Sequence, residues 1–511
     1  MNPALRSIKR YKAKNKARGN SIRPVRNVGA GHDGTLSNWF PRRQQRGSER
    51  LDRERLQTRI EDVVANDGHA ASIKGTLNTN VIGPGIKGRS NLSAEKLGLT
   101  PEQIAEVKQA QNDAFTLWAK KAHVGGIFQF QDIQSVAFSG KIVNGEFCYL
   151  CRYFDEATRI KKGRDFSFAL QDIHPIRLRT PDTESFNTNL RDGILFDDDS
   201  EVIGYYIHNP SDLNEIESYS YYSAKNGHLP RFFHNFQADE AEQVRGKSIF
   251  APVLKLFRDK YDFLDYEVIA QIITASFPIA IEQQYPPETG DGNFEKREGR
   301  YYQQVEAGQI LYPNTGETVN PISSDRPGNN FDAFFKMILK TLSAAAGVPY
   351  HQVIKDFSET NYSSARAALL ESWREFNRYR DWFVRLFLQK IWEVVIEEGY
   401  LRGYWSIPKN APGFYIARDL WTACNWTPPA KGHIDEDKEA KANERAIATG
   451  QKSYEDFFAE QGKDYKEEFK KQSEEHKLRR DLGLPILDPA NVQTYPDDPE
   501  EETPKTKAGA A

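Results

Sequence analysis

The sequence predicts an α+β fold in which a strand-rich stretch lies between long amphipathic helices. Apolar residues recur at the helical period over residues 53–80, and again from residue 100 onwards. Residues 139–155 and 173–222 instead combine aromatic and β-branched residues with Gly, Asn and Asp turns, which is typical of antiparallel strands. Helical period returns at Ser248. At 511 residues the chain can form several domains with a large core.

The helix that opens near residue 100 has a clear start. Thr100 is placed to cap it, Pro101 suits the first helical position, and Gln103 completes a capping box. The loop at residues 83–85 separates it from the helix before. Within the strand-rich stretch, the acidic turn at residues 197–201 predicts a β-hairpin, because apolar strand-like runs flank it on both sides.

The middle of the chain predicts a helical hairpin that carries a small module at its far end. An amphipathic helix over residues 248–276 enters a Pro-, Gly- and charge-rich, strand-like insert, and a second helix over residues 331–346 leads out. Gly347 and Pro349 end the second helix. A loop without a clear period follows, and a long patterned helix begins at Ser363. This layout is a poor one for an enzyme pocket.

Charge is nearly balanced overall but unevenly placed. The formal charge is −3, whereas a protein that grips nucleic acid over a wide face is normally clearly basic, so any DNA contact is expected to be loose or local. The first 46 residues contain many Lys and Arg and a single acidic residue, Asp33, whereas residues 497–502 are acidic. Both ends fit solvated tails, and the basic end also fits an arm that meets nucleic acid or an acidic partner.

The sequence also indicates the cellular environment in which the chain folds. No apolar segment follows the N-terminal charges, as a signal peptide would require. No run approaches the roughly 18 apolar residues of a membrane helix, so we expect a soluble chain. Three cysteines, Cys148, Cys151 and Cys424, fit a reducing compartment.

Three short motifs match functional patterns only in part. Residues 83–88 spell G-x-G-x-x-G, but a helix precedes them and Pro84 lacks an N–H group, which favours loop glycines over a nucleotide site. Cys148 and Cys151 form C-x-x-C, but such strand positions face opposite ways and no second pair completes a zinc site, which favours semi-buried cysteines. The acidic residues 197–201 fit a turn better than a cation site. We predict no catalytic, cofactor-binding or metal-binding residue.

Two short blocks are the most specific in the chain: Gln-Val-Arg-Gly at residues 243–246 and Asn-Tyr-Ser-Ser-Ala-Arg at residues 361–366. Further blocks occur at residues 65–70, 80–86, 234–236, 250–254, 347–350, 426–429 and 435–440. Together these blocks, which occur in family order, resemble the portal proteins of tailed bacteriophages, specifically the lambda-like family. Residues 240–242 depart from the Arg/Pro/Gly turn of relatives.

The resemblance implies a ring of about twelve subunits at one capsid vertex, through which DNA is pumped in and later leaves. It implies nine segments: a basic, disordered arm (1–48), a wing of helices and then antiparallel strands (49–247), a first stem helix (248–276), a small α/β clip (277–329), a second stem helix (330–346), a channel or tunnel loop (347–362), a long wing helix with a return to the wing (363–430), a helical crown (431–485) and an acidic tail (486–511).

The resemblance also implies two sets of site residues, for each of which an ordinary polar surface is the alternative. One lysine per subunit, repeated round a ring, gives a weak and replaceable contact with a moving duplex. The channel-loop residues expected to face DNA are His351, Gln352, Lys355, Ser358, Thr360 and Asn361. The clip residues expected to meet docking partners are Glu288, Asp291, Lys296, Arg297 and Arg300.

The implied partners are other copies of the chain, double-stranded DNA, the terminase large subunit, head-completion or adaptor proteins, and the major capsid and scaffold proteins, with no membrane and no cofactor. The expected location is the virion, with the bacterial host cytoplasm during assembly. We expect no enzyme activity, and the energy for translocation would come from a separate ATPase, since the chain lacks a G-x-x-x-x-G-K-[ST] loop. Another ring-forming connector, adaptor or baseplate protein is the main alternative, and a nucleotide-binding enzyme is the second.

Overall fold

The computed structural model describes residues 49–209, 218–276, 279–283, 295–297, 300–302, 317–321, 331–358, 362–430, 436–461, 463 and 465–484. The residues described before Glu54 are only the opening residues of the first helix. The predicted basic arm (1–48) and acidic tail (486–511) lie outside the described residues.

The described residues mix helices with antiparallel sheets, as the sequence predicts. The helices are α1 (Glu49–Asn66), α2 (Gly68–Val81), α3 (Ala94–Leu97), α4 (Pro101–Ala119), α5 (Phe130–Asn144), α6 (Glu156–Lys161), α7 (Leu254–Ser276), α8 (Phe331–Ala346), α9 (Tyr350–Ile354), α10 (Tyr362–Phe383), α11 (Gln389–Leu401), α12 (Arg418–Trp421), α13 (Glu436–Ala448), α14 (Tyr454–Glu460) and α15 (Tyr465–Asp481). A π-helical stretch, Val384–Leu388, joins α10 to α11.

The strands are mostly short. They are β1 (Lys87–Ser90), β2 (Glu146–Tyr153), β3 (Phe168–Ile173), β4 (Leu190–Arg191), β5 (Ile194–Phe196), β6 (Val202–Asn209), β7 (Ser218–Ser223), β8 (Lys225–Asn226), β9 (Leu229–Pro230), β10 (Phe232–Phe236), β11 (Ile279–Gln283), β12 (Glu295–Arg297), β13 (Arg300–Tyr302), β14 (Glu317–Pro321) and β15 (Cys424–Thr427). The two larger sheets have the strand orders β10-β2-β3 and β4-β5-β6-β7.

The predicted helix over residues 53–80 is in fact two helices, α1 and α2, which meet at Asp67. The Asp67 carboxylate accepts hydrogen bonds from the backbone N–H groups of His69 (2.9 Å) and Ala70 (3.1 Å), and so caps α2. Periodicity does not reveal this break, because the apolar spacing continues across it. The capping box predicted at the start of α4 is confirmed.

Residues 139–144, predicted as strand, belong to helix α5. Phe130, Ile133, Ala137 and Phe138 are buried along it at helical spacing. Their aromatic and branched character resembles that of strand β2, which follows directly, so composition hides the change of period. Strand β1, which pairs with β15, is a further element that the sequence pattern does not indicate.

The hairpin predicted around residues 197–201 is confirmed, because β5 pairs antiparallel with β6 across that turn. The Asp197 carboxylate accepts hydrogen bonds from the N–H groups of Asp199 (3.1 Å) and Glu201 (2.7 Å). This is the local bonding by which Asp favours turns. The acidic cluster therefore closes a hairpin, as expected.

Strand β2 separates two apolar cores. Phe147, Tyr149 and Cys151 pack into the main core on one face, whereas Cys148 and Leu150 face a smaller core formed with β5 and β6. The two thiols therefore diverge, as predicted, but both are fully buried rather than semi-buried. Burial raises the pKa of both thiols well above the usual range, so they stay protonated and unreactive.

Residues 243–246 form the joint between the first sheet and helix α7. The Arg245 side chain is 4% exposed and donates hydrogen bonds to both carboxylate oxygens of Glu146 at 2.5–2.9 Å. It also donates to three backbone carbonyls. Nε2 of His234 lies 2.9 Å from the same carboxylate, which is fully buried. The arginine thus fixes several chain segments at one point.

The charge of Arg245 keeps this buried carboxylate ionised. Burial alone raises the pKa of Glu146, but the guanidinium charge and the hydrogen bond with His234 outweigh it and lower that pKa far below the usual range. The Gln243 amide completes the joint, since its oxygen accepts from the N–H of Asp239 (2.7 Å) and its nitrogen donates to the carbonyl of Arg245 (2.7 Å).

Two glycines at this joint allow a close backbone approach. A Cβ on Gly246 would lie 2.2 Å from the carbonyl oxygen of Gly145, and a Cβ on Gly145, where φ is +83°, would lie 2.3 Å from the carbonyl carbon of Lys247. A larger residue fits neither position without moving the backbone. The Gln-Val-Arg-Gly block therefore has a structural role, because it clamps the start of the hairpin onto the sheet.

The C-terminal region, predicted as helical and charged over residues 435–482, contains α13, α14 and α15. An aromatic cluster joins α14 to α15, in which Tyr454 and Phe458 meet Phe469 edge-on with ring centroids 5.4 Å and 5.8 Å apart. Phe458 is buried, whereas Tyr454 and Phe469 are exposed. The apolar content of this region is small, as the sequence indicates.

Candidate functional site

Helices α7 and α8 form the predicted hairpin and pack through aromatic rings. The Phe263 ring stacks on Phe331 with centroids 5.2 Å apart and meets Phe334 edge-on at 5.3 Å. The bounds predicted for α8 are confirmed, and Gly347, with φ at +66°, ends it. Strands β11 and β14 pair antiparallel between the two helices, as do β12 and β13.

The first hairpin helix begins at Leu254 rather than at the predicted Ser248. The Ser248 hydroxyl donates to the carbonyl of Ile142 (2.9 Å) and accepts from the N–H of Phe250 (3.2 Å), so it anchors the turn before the helix. A short 3-10 turn at Ala251–Val253 follows. The apolar spacing of this turn matches that of a helix, which explains the early predicted start.

A buried lysine ties the hairpin to helix α2. Lys260 is 2% exposed, and its Nζ lies 2.5 Å from the Asp67 carboxylate and 3.0 Å from Nδ1 of His69. Burial lowers the pKa of His69, and the Lys260 charge lowers it further. His69 is therefore neutral at pH 7 and accepts a hydrogen bond from the lysine. The His69 ring also meets Phe335 of α8 edge-on at 6.1 Å, so both hairpin helices contact the same end of α2.

Each hairpin helix exposes an apolar stripe in the single chain. On α7, Tyr261, Val268 and Ile272 recur along one face and are 57%, 54% and 60% exposed. On α8, Phe334 and Met337 are 45% and 56% exposed. Large apolar side chains grouped on one surface element mark an interaction surface. We name these sets the α7 stripe and the α8 stripe.

Residues 347–362, predicted as an irregular loop, contain the short helix α9. Pro349 precedes its first residue, and Lys355, with φ at +57°, ends it. Val353 is buried on its inner side. A helix of a single turn offers too few apolar positions to show a period, so the sequence pattern does not reveal it.

Helix α9 is docked on α2. The Ser72 hydroxyl donates a hydrogen bond to the carbonyl of Val353 at 2.6 Å, and Val348 and Val353 are both buried. The side-chain oxygen of Gln352 is buried, and no group in the described part of the chain donates a hydrogen bond to it. Nζ of Lys340 lies 5.7 Å from the centre of the Tyr350 ring. These contacts hold α9 against α2, whereas residues 355–358 after it are exposed.

Replacing Ser72 with alanine is expected to loosen this docking by about 0.5–1.5 kcal/mol, the usual net contribution of one neutral hydrogen bond. Hydrogen exchange of the amides in residues 350–354 should become several-fold faster. Thr58→Ala is the matched control, because it removes a hydroxyl that bonds only within α1. Unchanged exchange in Ser72→Ala would show that burial of the two valines alone holds α9.

The residues predicted to face DNA differ in exposure. His351 and Gln352 are half-buried on α9, whereas Lys355 and Ser358 are exposed beyond its end. Of the four, Lys355 carries the positive charge. Exposure at the end of a docked turn is the arrangement that a flexible charged contact needs. Two further candidates lie outside the described residues: Thr360 and Asn361.

The turn after α9 is organised by Asp356. Its carboxylate accepts a hydrogen bond from the N–H of Ser358 at 2.9 Å, which lowers the pKa of Asp356 below its usual range. Nδ1 of His351 lies 3.2 Å from the Asp356 carbonyl oxygen. An ionised carboxylate thus lies beside Lys355 in the chain, so the exposed turn carries both signs of charge.

The predicted clip residues fall partly in the strands between α7 and α8. Arg297 is paired across the β12–β13 ladder with Arg300, and Lys296 is paired with Tyr301. The remaining two candidates lie outside the described residues: Glu288 and Asp291.

The remaining motifs do not build a chemical site. The last two residues of the G-x-G-x-x-G motif, Lys87 and Gly88, begin strand β1, whereas the mechanism of the motif needs the N-terminus of a helix at that point. Gly83 and Gly85 have φ values of +53° and +107°, as tight turns require. No group of metal-ligating side chains occurs among the residues that the structure describes. None of the helices within those residues has the length and apolar character to span a bilayer.

Comparison with known proteins identifies the family. The profile of the phage portal proteins, lambda family, matches residues 32–380, which is more than half of the chain. The portal protein of Escherichia phage N15 is 25% identical over 492 residues, covering 89% of this chain and 90% of that protein. Portal protein B of Escherichia phage lambda is 24% identical over 495 residues, with the same coverage.

Similar solved structures come from a gene transfer agent. A chain from the virion of the native particle has a TM-score of 0.43 at 12% identity, covering 88% of this chain and 95% of that chain. A chain from the neck of the native particle, computed with C12 symmetry, has a TM-score of 0.43 at 11% identity, covering 88% and 98%. These scores are too low to establish a common fold. The profile match, which spans the hairpin and the residues 243–246 joint, shows that the chain belongs to the lambda family of phage portal proteins.

Proposed function

We propose that this chain is the subunit of a portal ring at a capsid vertex, through which double-stranded DNA is packaged and later ejected. The observation that carries the proposal is the pair of exposed stripes on α7 and α8. In a closed ring each subunit presents two different surfaces, one to each neighbour. One stripe on each hairpin helix supplies two such surfaces. A ring of about twelve copies in the virion, assembled in the host cytoplasm, is what membership of the family implies.

The parts of the chain then take the roles that the family suggests. Residues 49–247 and 363–430 are the wing, α7 and α8 are the stem, and residues 277–329 are the clip. Residues 347–362 are the channel loop, and α13, α14 and α15 belong to the crown. The docking of α9 on α2 supports the assignment of the channel loop, because it holds one end of the segment and leaves Lys355 exposed.

Partners are proposed for the clip from its charge pattern. The clip strands β12 and β13 contain three basic residues, Lys296, Arg297 and Arg300, and a basic segment suits an acidic surface on a partner. We assign this contact to the terminase large subunit during packaging and to head-completion or adaptor proteins afterwards. Major capsid and scaffold proteins would meet the outside of the ring. Portal proteins are structural, and the energy for translocation would come from a separate ATPase.

Negative-stain imaging of the purified chain tests the ring directly. Rings with a central hole wide enough for a DNA duplex are expected. Single subunits or compact dimers at every concentration would overturn the proposal. Rings without a continuous hole would instead favour a different virion connector.

Replacing Lys355 with alanine is expected to weaken the binding of short DNA duplexes to purified rings. Each lysine–phosphate contact contributes about 0.9 to the slope of log affinity against log salt concentration for duplex DNA, so the variant's slope should be shallower. Lys409→Ala is the control, since Lys409 is an exposed lysine in another part of the chain. Equal slopes in the parent and in Lys355→Ala would remove Lys355 from the channel contact.

A further inference from the structure

Strand β7 forms the outer edge of the second sheet and lacks the features that usually protect such an edge. It pairs with β6 along its whole length without a bulge, and no other strand in the described ranges pairs with its far side. Its sequence, Ser-Tyr-Ser-Tyr-Tyr-Ser, contains neither a charge nor a proline. Natural proteins use charge, proline and bulges to prevent a further strand from pairing with an edge. Strand β7 is therefore open to a further strand.

The hydrogen-bonding pattern identifies the free positions. The N–H of Ala224 donates to the carbonyl of Ile203 at 2.9 Å, on the β6 side. Because the pattern alternates along an antiparallel strand, Tyr222 faces β6 as well, whereas Tyr221 and Ser223 direct their backbone N–H and C=O groups away from it. Tyr221 and Ser223 are also exposed. These two residues offer backbone groups to an added strand.

A groove of about 450 Å³ lies beside this edge, between β7 and the end of β2. Arg152 and Arg231 line it, and within the described part of the chain neither guanidinium has a carboxylate within 4.0 Å. The Arg231 guanidinium lies over the Tyr153 ring at 5.1 Å. The acidic lining residue, Asp155, caps α6 through the N–H (2.9 Å) and hydroxyl (2.7 Å) of Thr158, and these hydrogen bonds favour its ionised form. The groove lining therefore carries two positive charges and one negative charge.

An open strand edge beside two arginines that lack a carboxylate partner among the described residues fits an extended segment that is followed by acidic residues. The chain contains such a segment after its last described residue. Residues 491–495, Asn-Val-Gln-Thr-Tyr, have a strand-forming composition, and an acidic run follows at residues 497–502. We propose that this C-terminal segment pairs with β7 through residues 491–495 and places its acidic run against Arg152 and Arg231.

The free backbone edge decides between this ligand and a nucleic acid. A DNA duplex could bind the same two arginines through its phosphates, which also accept hydrogen bonds from backbone N–H groups, but the phosphates have no donor for the outward C=O groups of Tyr221 and Ser223. A strand uses both features at once. The inference concerns a surface remote in sequence from the hairpin stripes, and it stands independently of the proposed ring.

A labelled peptide of residues 489–503 tests the proposal by fluorescence anisotropy. It is titrated onto the full chain in which the acidic residues at 497, 498 and 500–502 are replaced by serine, so that the chain's own tail competes less. We expect saturable binding that falls at least tenfold in Arg152→Glu. Ser223→Pro should cause a similar loss, because it removes an outward N–H group that the fold does not use. Ser223→Ala keeps that N–H group and should bind like the parent.

Circular dichroism of each variant separates loss of binding from loss of fold. Three results would overturn the proposal: no saturable binding, equal binding of a peptide with residues 491–495 replaced by glycine, or binding that neither Arg152→Glu nor Ser223→Pro affects. If short duplex DNA binds in an Arg152-dependent way while the peptide does not bind, the groove is a phosphate site instead. Ring imaging is unaffected by any of these results, so a failure here is distinguishable from failure of the portal ring.

Discussion

Replacing Arg245 with alanine is expected to lower the free energy of unfolding by about 3–5 kcal/mol, the usual cost of removing one partner from a buried ion pair. The variant leaves the Glu146 carboxylate fully buried without its guanidinium. It also leaves three backbone carbonyls without the donor that they share. Urea unfolding followed by tryptophan fluorescence measures the change.

The loss of stability caused by Arg245→Ala is expected to decrease as the pH falls. In the parent chain the pKa of Glu146 lies below its unfolded value of about 4.3, so the stabilisation is complete above that pH and is lost as the pH falls towards the folded pKa. In the variant, burial without the guanidinium raises the pKa, and the carboxyl gains a proton readily in acid. The difference in stability between the two proteins should therefore shrink between pH 7 and pH 4.

Lys247→Ala is the matched control for this experiment. Lys247 lies two residues further on and pairs with Glu240 at 2.8 Å, but the side chains are 38% and 62% exposed. Such surface pairs contribute about 0–1 kcal/mol. A loss of similar size in Arg245→Ala and Lys247→Ala would contradict the view that residues 243–246 form a buried joint.

The double substitution Val268→Asp with Ile272→Asp is expected to abolish ring assembly. Full burial of an apolar side chain of this size contributes about 1.5–3 kcal/mol, and the variant loses two of them at every interface in the ring. Each introduced carboxylate would also be desolvated without a partner. Sedimentation velocity should show single subunits where the parent shows rings.

The fold of the single subunit should survive this change, because Val268 and Ile272 are more than half exposed in the isolated chain. Circular dichroism checks that expectation. Lys255→Asp, at an exposed position nearer the start of the same helix, is the control and should leave rings intact. Rings that persist in the double variant would show that the α7 stripe lies outside the interface.

Local chemistry explains which elements the sequence predicts well. The capping box of α4 involves Thr100 and Gln103, three residues apart, and the turn at Asp197 involves bonds to residues two and four positions on. Gly347 ends α8 through its own left-handed conformation. Such features are visible in sequence because all of their groups lie within one or two turns of chain. Short elements such as α9 cannot be predicted in this way, since a single helical turn has too few residues to show a hydrophobic period.

The candidate sites depended on contacts that no local pattern contains. Arg245 and Glu146 are 99 residues apart in the chain, and Ser72 meets a carbonyl 281 residues away. The family blocks mark these regions without saying what their residues do. The sequence alone determined the helical hairpin and its insert, because helical period and capping are encoded locally. It also indicated the family, through short blocks of residues. Tertiary structure alone decided that Arg245 is a buried joint, that the α7 and α8 stripes remain exposed and that β7 is open, because burial and pairing depend on distant segments meeting.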